Sequence, residues 1–302
     1  MKFYRFSQIC PLLLALSNLF TSCAVSHPQN DSLVEMQSSL DPVLESPLET
    51  PLDSLLDESD TESDEANSNE KTAPVDDTIW DLSDVDTSSI SPQRKLISFT
   101  FDDAPSKTLE NIFAVYVGYN EAHSDCPAFA TIFFNGGRFD SQTPHLLATA
   151  CAMRFELGNH TFSHYDLTKL SKAELQWEIE MTDRLLQKAD GKTRHLLRAP
   201  FGKTNDFVKE ASTSPLIDWA IDTLDWTGVS ADEIYRTVYD NRFSGAIVLM
   251  HDGYPHTVDA LKRLLPDLYA DGYQVVSVSQ MAKMHGCTLM KGKVYIRARK
   301  QH

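Results

Sequence analysis

From Lys95 onward the chain alternates short apolar runs with stretches of helical periodicity, and that alternation admits few folds. Runs too short for helices, separated by amphipathic segments, encode a mainly parallel sheet or barrel covered by helices. Strands are predicted over residues 96–101, 128–135, 155–157, 196–198, 216–221, 246–250 and 275–278. The helices mark their own starts. Ser171 with Glu174 and Ser230 with Glu233 form capping boxes, Gly191 supplies a stop, and Thr257 is a candidate cap for a third helix. About two hundred residues take part, enough for one sizeable core.

In parallel α/β architectures the loops at the carboxyl ends of the strands hold the functional site. Asp102 and Asp103 follow the first predicted strand and Asn159 and His160 the third; Arg198 ends the fourth, Asp222 and Asp225 follow the fifth, and His251 the sixth. Residues scattered in sequence would therefore converge in space. Neighbours on a straight strand point to opposite faces, but the turn at Pro105 would let both aspartates face one pocket. Two carboxylates so close resist joint ionisation unless a cation is near. His160 and His164 stand at i and i+4, so a helical turn would put both imidazoles on one face, within reach of a single ion. One carboxylate and two imidazoles leave room for water on a divalent metal, with the second carboxylate free as a base. An Asp with two His also describes a non-haem iron oxygenase, although those sites usually hold one His close to the carboxylate in sequence.

The formal charge is −16, and its distribution matters more than its size. Eighteen Asp or Glu and one Lys, Lys71, lie between Ala24 and Gln93; with Lys2 and Arg5 ahead of them, the remainder of the chain carries −1. That near-neutral part gathers no basic patch, which argues against nucleic acid. Lys2 and Arg5 precede an apolar run from Ile9 to Phe20, too short to span a bilayer comfortably, so residues 1–22 read as an export signal. Leu19-Phe20-Thr21-Ser22-Cys23 resembles a lipobox, with Cys23 as the lipidated residue and Phe20 as a departure; ordinary cleavage near Ala24 is the other reading. Residues 23–93, rich in Ser, Asp, Glu and Pro, are expected to form a disordered acidic tether ahead of a domain at 94–302. Cys126, Cys151 and Cys287 allow at most one disulfide and show no CxxC spacing.

Five motifs in order give the chain a resemblance to the polysaccharide deacetylases of the NodB-homology type, carbohydrate esterase family 4. Thr100-Phe101-Asp102-Asp103-Ala104-Pro105 is similar to that family's TFDDGP with Ala104 for glycine, and His160-Thr161-Phe162-Ser163-His164 to its HS/TxxH. Arg198-Ala199-Pro200-Phe201-Gly202 is similar to RxPYG with Phe201 for Tyr, Asp222-Thr223-Leu224-Asp225-Trp226 to DxxDW, and Leu249-Met250-His251 to LxH.

The resemblance implies a distorted (β/α) barrel and a hydrolase that removes N-acetyl groups from an amino-sugar polymer. It implies that Asp103, His160 and His164 bind a metal, usually Zn2+, with Co2+ or Ni2+ as substitutes. Asp102 would be the general base and Arg198 its orienting partner. His251, assisted by Asp225, would protonate the leaving amine. The main-chain N–H of Phe201 would meet the carbonyl oxygen, and Trp226 and Leu249 would wall the acetyl methyl. Peptidoglycan is the substrate favoured by an exported, membrane-anchored enzyme, with chitooligosaccharide next. An O-acetyl esterase on xylan-like glycan and a weakly active glycan-binding surface lipoprotein are the alternatives. No protein partner is indicated. If Ala104 occupies a position of positive φ, its Cβ costs on the order of 1 kcal/mol.

Overall fold

In the computed structural model of the protein the described residues run from 78 to 299; the expected leader, Cys23 and most of the expected tether lie outside them. Nine strands are found among the described residues: β1 (Lys95–Ala104), β2 (Thr131–Phe134), β3 (Glu156–Asn159), β4 (Leu196–Leu197), β5 (Leu216–Ile217), β6 (Ile221–Asp222), β7 (Ile247–His251), β8 (Tyr273–Val276) and β9 (Val294–Tyr295). They alternate with helices α1 (Leu109–Ala122), α2 (Thr143–Ala152), α3 (Lys172–Asp190), α4 (Asp206–Ala211), α5 (Ala231–Asn241), α6 (Pro255–Ala270) and α7 (Val278–Met284). Every strand pairing is parallel, in the order β6-β7-β1-β2-β3-β4-β5-β9, with β8 also on β1. The result is a curled half-barrel clothed in helices, as the alternation predicts.

Strand β1 shows why the sheet has a dry face and a working face. Ile97, Phe99 and Phe101 join the large cluster that packs against residues of α1, α2, α5 and α6. Ser98, Thr100 and Asp102 alternate with them and so point the other way, all buried. Each of the three apolar side chains is fully buried, worth roughly 1.5–3 kcal/mol apiece against exposure. A second cluster, with Leu96, Phe133, Leu196, Ile217 and Val276, is closed by Val278, Met281 and Ala282 of α7.

Both expected capping boxes are present, Ser171 with Glu174 on α3 and Ser230 with Glu233 on α5, and Gly191 takes φ 76° at the end of α3. A third box, Ser277 with Gln280, starts α7 where the sequence suggested the tail of a strand. Thr257 is not a cap. Helix α6 begins two residues earlier at Pro255, and the Thr257 hydroxyl is spent on Asp225 instead. The expected strand over 216–221 is two short strands, β5 and β6, that pair with different neighbours.

The expected tether boundary also moves. Residues 78–93 lie on the domain: the Trp80 N–H donates to Leu289 O at 2.9 Å, Ile90 is 5% exposed, and Trp80 and Leu82 pack on the second cluster. Gln274 holds the segment from both sides, accepting from Ser91 N–H and donating to Ser89 O. High acid content hid three apolar anchors, Trp80, Leu82 and Ile90, that hold this stretch against the domain, with Ile90 buried and the other two half-buried. Cys126, Cys151 and Cys287 are free thiols, so the allowed disulfide is not formed among them. Among the described residues no helix is long and apolar enough to cross a membrane.

Candidate active site

Strand register assembles the site. Asp102 of β1 is level with His251 of β7, and the Asp252 N–H donates to Asp102 O at 2.8 Å. On the other side the ladder runs on past the strand ends: Asn135 N–H to Ala104 O at 2.7 Å, His160 N–H to Phe134 O at 2.8 Å, Arg198 N–H to Asn159 O at 2.9 Å. Four loops are thereby locked side by side at the carboxyl edge.

Asp103 takes φ 66°, which turns its side chain out of the β1 alternation and toward the neighbouring histidines. Ala104 is not in the positive-φ region and is fully buried in β1, so its Cβ carries no backbone strain. The feared strain falls on the aspartate. Nor do His160 and His164 lie on a helical turn: the stretch is an irregular loop in which Thr161 and His164 take φ 65° and 57°. The two rings still meet, with centroids 5.0 Å apart. Phe201 (φ 61°) and Leu224 (φ 55°) are likewise left-handed, so five of the six such non-glycine residues among those described lie in the five motifs. Strain of about 1–3 kcal/mol each is tolerated where packing over-determines the backbone, as at functional sites.

One ligand atom each from Asp103, His160 and His164 can be chosen within 4.8 Å of the others. His164 Nε2 is 3.3 Å and His160 Nε2 3.7 Å from Asp103 Oδ1. His160 Nδ1 lies 2.9 Å from Arg198 O, a contact that needs a proton on Nδ1 and leaves the Nε2 lone pair facing the carboxylates. Asp103 Oδ1 is buried and receives no hydrogen bond. Burial, then the nearby His160, depresses the His164 pKa and favours its neutral ring. Three candidate ligand atoms thus converge around a buried carboxylate oxygen that receives no hydrogen bond, which suits a cation, and two nitrogens with one oxygen suit zinc, cobalt or nickel.

Arg198 is fully buried and reaches Asp102 Oδ1 and Thr100 Oγ1, each at 2.7 Å, Ile217 O at 2.8 Å and Asp218 O at 3.2 Å. Its guanidinium carbon sits 4.2 Å from the centre of the Phe133 ring. Gly158 permits that stacking, because a Cβ there would come within 2.5 Å of the same ring. Burial raises the Asp102 pKa most strongly, but Arg198, His160 and His251 together outweigh it and hold the carboxyl below the usual range. Asp102 Oδ2, the oxygen not used by Arg198, faces His160 Nε2 at 3.7 Å.

Across from this group, His251 Nδ1 lies 2.7 Å from Asp225 Oδ1, and the His251 N–H donates to Asp225 Oδ2 at 2.8 Å. The Thr257 hydroxyl donates to the same Oδ2 at 2.7 Å, so the fully buried carboxylate is well held. Burial pulls the His251 pKa down, but the bond to Asp225 and the charge of Asp102 push it above the usual value. Of the expected apolar wall, Trp226 is 54% exposed while Leu249 is 3% exposed within β7. Phe201 is 61% exposed and lays its ring edge-on to His164, centroids 4.8 Å apart.

A polysaccharide deacetylase family model matches residues 89–214. A peptidoglycan-N-acetylglucosamine deacetylase of Bacillus cereus is 32% identical over 206 residues, covering 65% of this chain and 92% of that protein. The chain belongs to the polysaccharide deacetylase family. The peptidoglycan-N-acetylmuramic acid deacetylase PdaC of Bacillus subtilis is 30% identical over 196 residues, 65% of this chain and 40% of PdaC, so the chain spans well under half of that relative. The solved structure of PdaC superposes with a TM-score of 0.59 at 31% identity, covering 65% of this chain and 93% of that one.

Several supports in this deacetylase fold escape the motifs. Glu178 Oε2 accepts from the Phe162 and Ser163 N–H groups at 2.9 and 2.7 Å, pinning the loop between the two histidines. Asp252, pushed up in pKa by burial, accepts from Ser106 and Thr108 and fixes the loop after Asp103. Arg138 donates to Asp103 O at 2.9 Å. For Glu178 a signal existed: it falls on the core-facing stripe of α3 with Leu175, Ile179 and Leu186, where a lone acid needs a partner.

Proposed function

We propose that the protein is a divalent-metal-dependent hydrolase that removes N-acetyl groups from an amino-sugar polymer, with peptidoglycan as the substrate and acetate as a product. The observation that carries the reading is the convergence of Asp103, His160 and His164 between an arginine-held carboxylate and an aspartate-held imidazole. Asp103, His160 and His164 hold the ion. Bound there, it supplies Lewis acidity, acidifying water and polarising a carbonyl.

The remaining work falls to side chains and main chain. Asp102, ionised through Arg198, takes the proton of the attacking water on Oδ2. The Phe201 N–H donates to the oxygen that gains negative charge. His251 enters protonated, because Asp225 stabilises the imidazolium, and gives the Nε2 proton to the departing amine. Trp226 and Leu249 offer apolar surface to the acetyl methyl. Export through residues 1–22 and anchoring at Cys23 would bring the domain to the cell envelope, where peptidoglycan is the acetylated amino-sugar polymer at hand.

The test is acetate release from peptidoglycan, chitooligosaccharide and acetylxylan side by side, with and without chelator. Release from peptidoglycan that chelator abolishes and zinc restores is the expected result. Release from acetylxylan alone, or release indifferent to chelator, would overturn the proposal.

A further inference from the structure

Helix α3 buries more polarity than its packing requires. Glu178, Thr182 and Asp183 share its inward face with Leu175, Ile179 and Leu186. Asp183 is 5% exposed, and its Oδ1 accepts two hydrogen bonds, from His195 Nδ1 at 2.9 Å and from Asn159 Nδ2 at 2.9 Å. His195, 2% exposed, has its other nitrogen, Nε2, 3.2 Å from Asp190 Oδ1. With a carboxylate at each nitrogen, only the doubly protonated ring donates to both. Burial opposes that charge, but the bonds to Asp183 and Asp190 outweigh it and raise the pKa of His195. His195 also lines a cavity of about 390 Å3 that other charged groups face: Lys192 and Arg194 from the loop after α3, Glu156 of β3, and Asp81 and Asp84 of the amino-terminal segment.

The cluster ends on the metal-ligand loop. Asn159 Oδ1 accepts the Thr161 N–H at 2.8 Å, across the left-handed backbone between His160 and Phe162, and Asn159 Nδ2 also donates to Ile179 O at 2.8 Å. Asp183 shares with Ile179 O the task of holding the Asn159 amide nitrogen and is the side-chain acceptor of the two, and the His195 ring holds Asp183 Oδ1 from its far side. We infer that Asp183, His195 and Asp190 form a positioning cluster that orients Asn159 and thereby sets the backbone that aims His160 and His164 at their ion. A buried Asp183–His195 pair placed for stability alone would be a poor choice, since apolar residues of similar volume usually serve as well or better.

The inference rests on the proposed metal site, and one experiment separates the two. Zinc affinity of the full chain is measured by competition with a chromophoric chelator for wild type, His195→Gln, Asp190→Asn and Leu265→Ala. The last is a core truncation between α6 and its neighbours that lowers stability without approaching the cluster. The cobalt-loaded proteins are compared by visible absorption. His195→Gln should weaken zinc binding about 10-fold or more, in line with the cost of lost ligand support, and alter the cobalt bands. Asp190→Asn should do so to a lesser degree, and Leu265→Ala should bind as wild type does. Unchanged affinity in His195→Gln, or an equal loss in Leu265→Ala, overturns the inference while leaving the metal site intact. Should His195→Gln fail to fold, Asp190→Asn decides: a clear loss of affinity supports the cluster and wild-type affinity refutes it. Wild type that binds no zinc or cobalt overturns the metal site and the inference together.

Discussion

Replacing Arg198 with methionine isolates the interaction on which the proposed base depends. The substitution keeps much of the volume and removes a fully buried guanidinium that meets Asp102 Oδ1 at 2.7 Å. Asp102, 3% exposed, is left as a buried carboxylate without its nearest counter-charge. Removing one partner of such a pair costs about 3–5 kcal/mol. For a domain of this size each kcal/mol is worth about 2–4 °C, so the thermal midpoint should fall on the order of 10 °C. The pH dependence carries the sharper signature. Burial is the strongest influence on Asp102 and favours its neutral form; Arg198 leads the charges that reverse it. A carboxyl with a depressed folded pKa contributes stability above its unfolded pKa of about 4, and that contribution is lost as pH falls through the folded pKa. Without Arg198, burial prevails and the pKa rises, so activity should be lost at a higher pH on the acid side. The assay is kcat/KM for acetate release from pH 4 to 8, with urea unfolding alongside. The acid limb of Arg198→Met should move up by at least about one pH unit, equivalent to about 1.4 kcal/mol, and Arg198→Lys should lie between it and wild type. A folded Arg198→Met protein whose acid limb coincides with that of wild type would refute the reasoning.

Two further outcomes are expected. Asp225→Asn removes the hydrogen-bonded carboxylate that does most to raise the His251 pKa, so the alkaline limb of kcat/KM should shift to lower pH and activity at pH 8 should drop by roughly 10²-fold or more, within the range of a lost general acid; an unmoved alkaline limb would mean that another group protonates the amine. Ala104→Gly restores the residue of the family motif at a position that needs no positive φ, so urea unfolding should register a loss of about 0.5–1 kcal/mol with no gain in kcat. A several-fold gain in kcat would show that the alanine side chain does hinder Asp103.

The sequence determined the class of fold through its alternation of apolar runs and capped helices, because hydrophobic period and cap chemistry act within a few residues. It also named the ten residues expected at the site, and the structure brings Asp102, Asp103, His160, His164, Arg198, Asp225 and His251 to neighbouring loops. It misjudged what depends on residues far apart. The membership of residues 78–93 in the domain rests on contacts with Leu289 and Gln274, about two hundred positions on. The duty of Thr257 is set by Asp225 across the β7 edge, which no local pattern records.

The division of labour between the two aspartates shows where each level of information ends. By itself the sequence determined that two adjacent carboxylates close a buried strand and that two imidazoles follow another. Only the tertiary structure decided that a left-handed turn falls on Asp103 rather than Ala104, that Asp102 stays in the strand alternation facing Arg198, and that His160 presents Nε2 because Arg198 O takes Nδ1. The physical reason is that strand register and buried hydrogen bonds are satisfied between distant segments, and those choices fix which atom of each side chain is left to do chemistry.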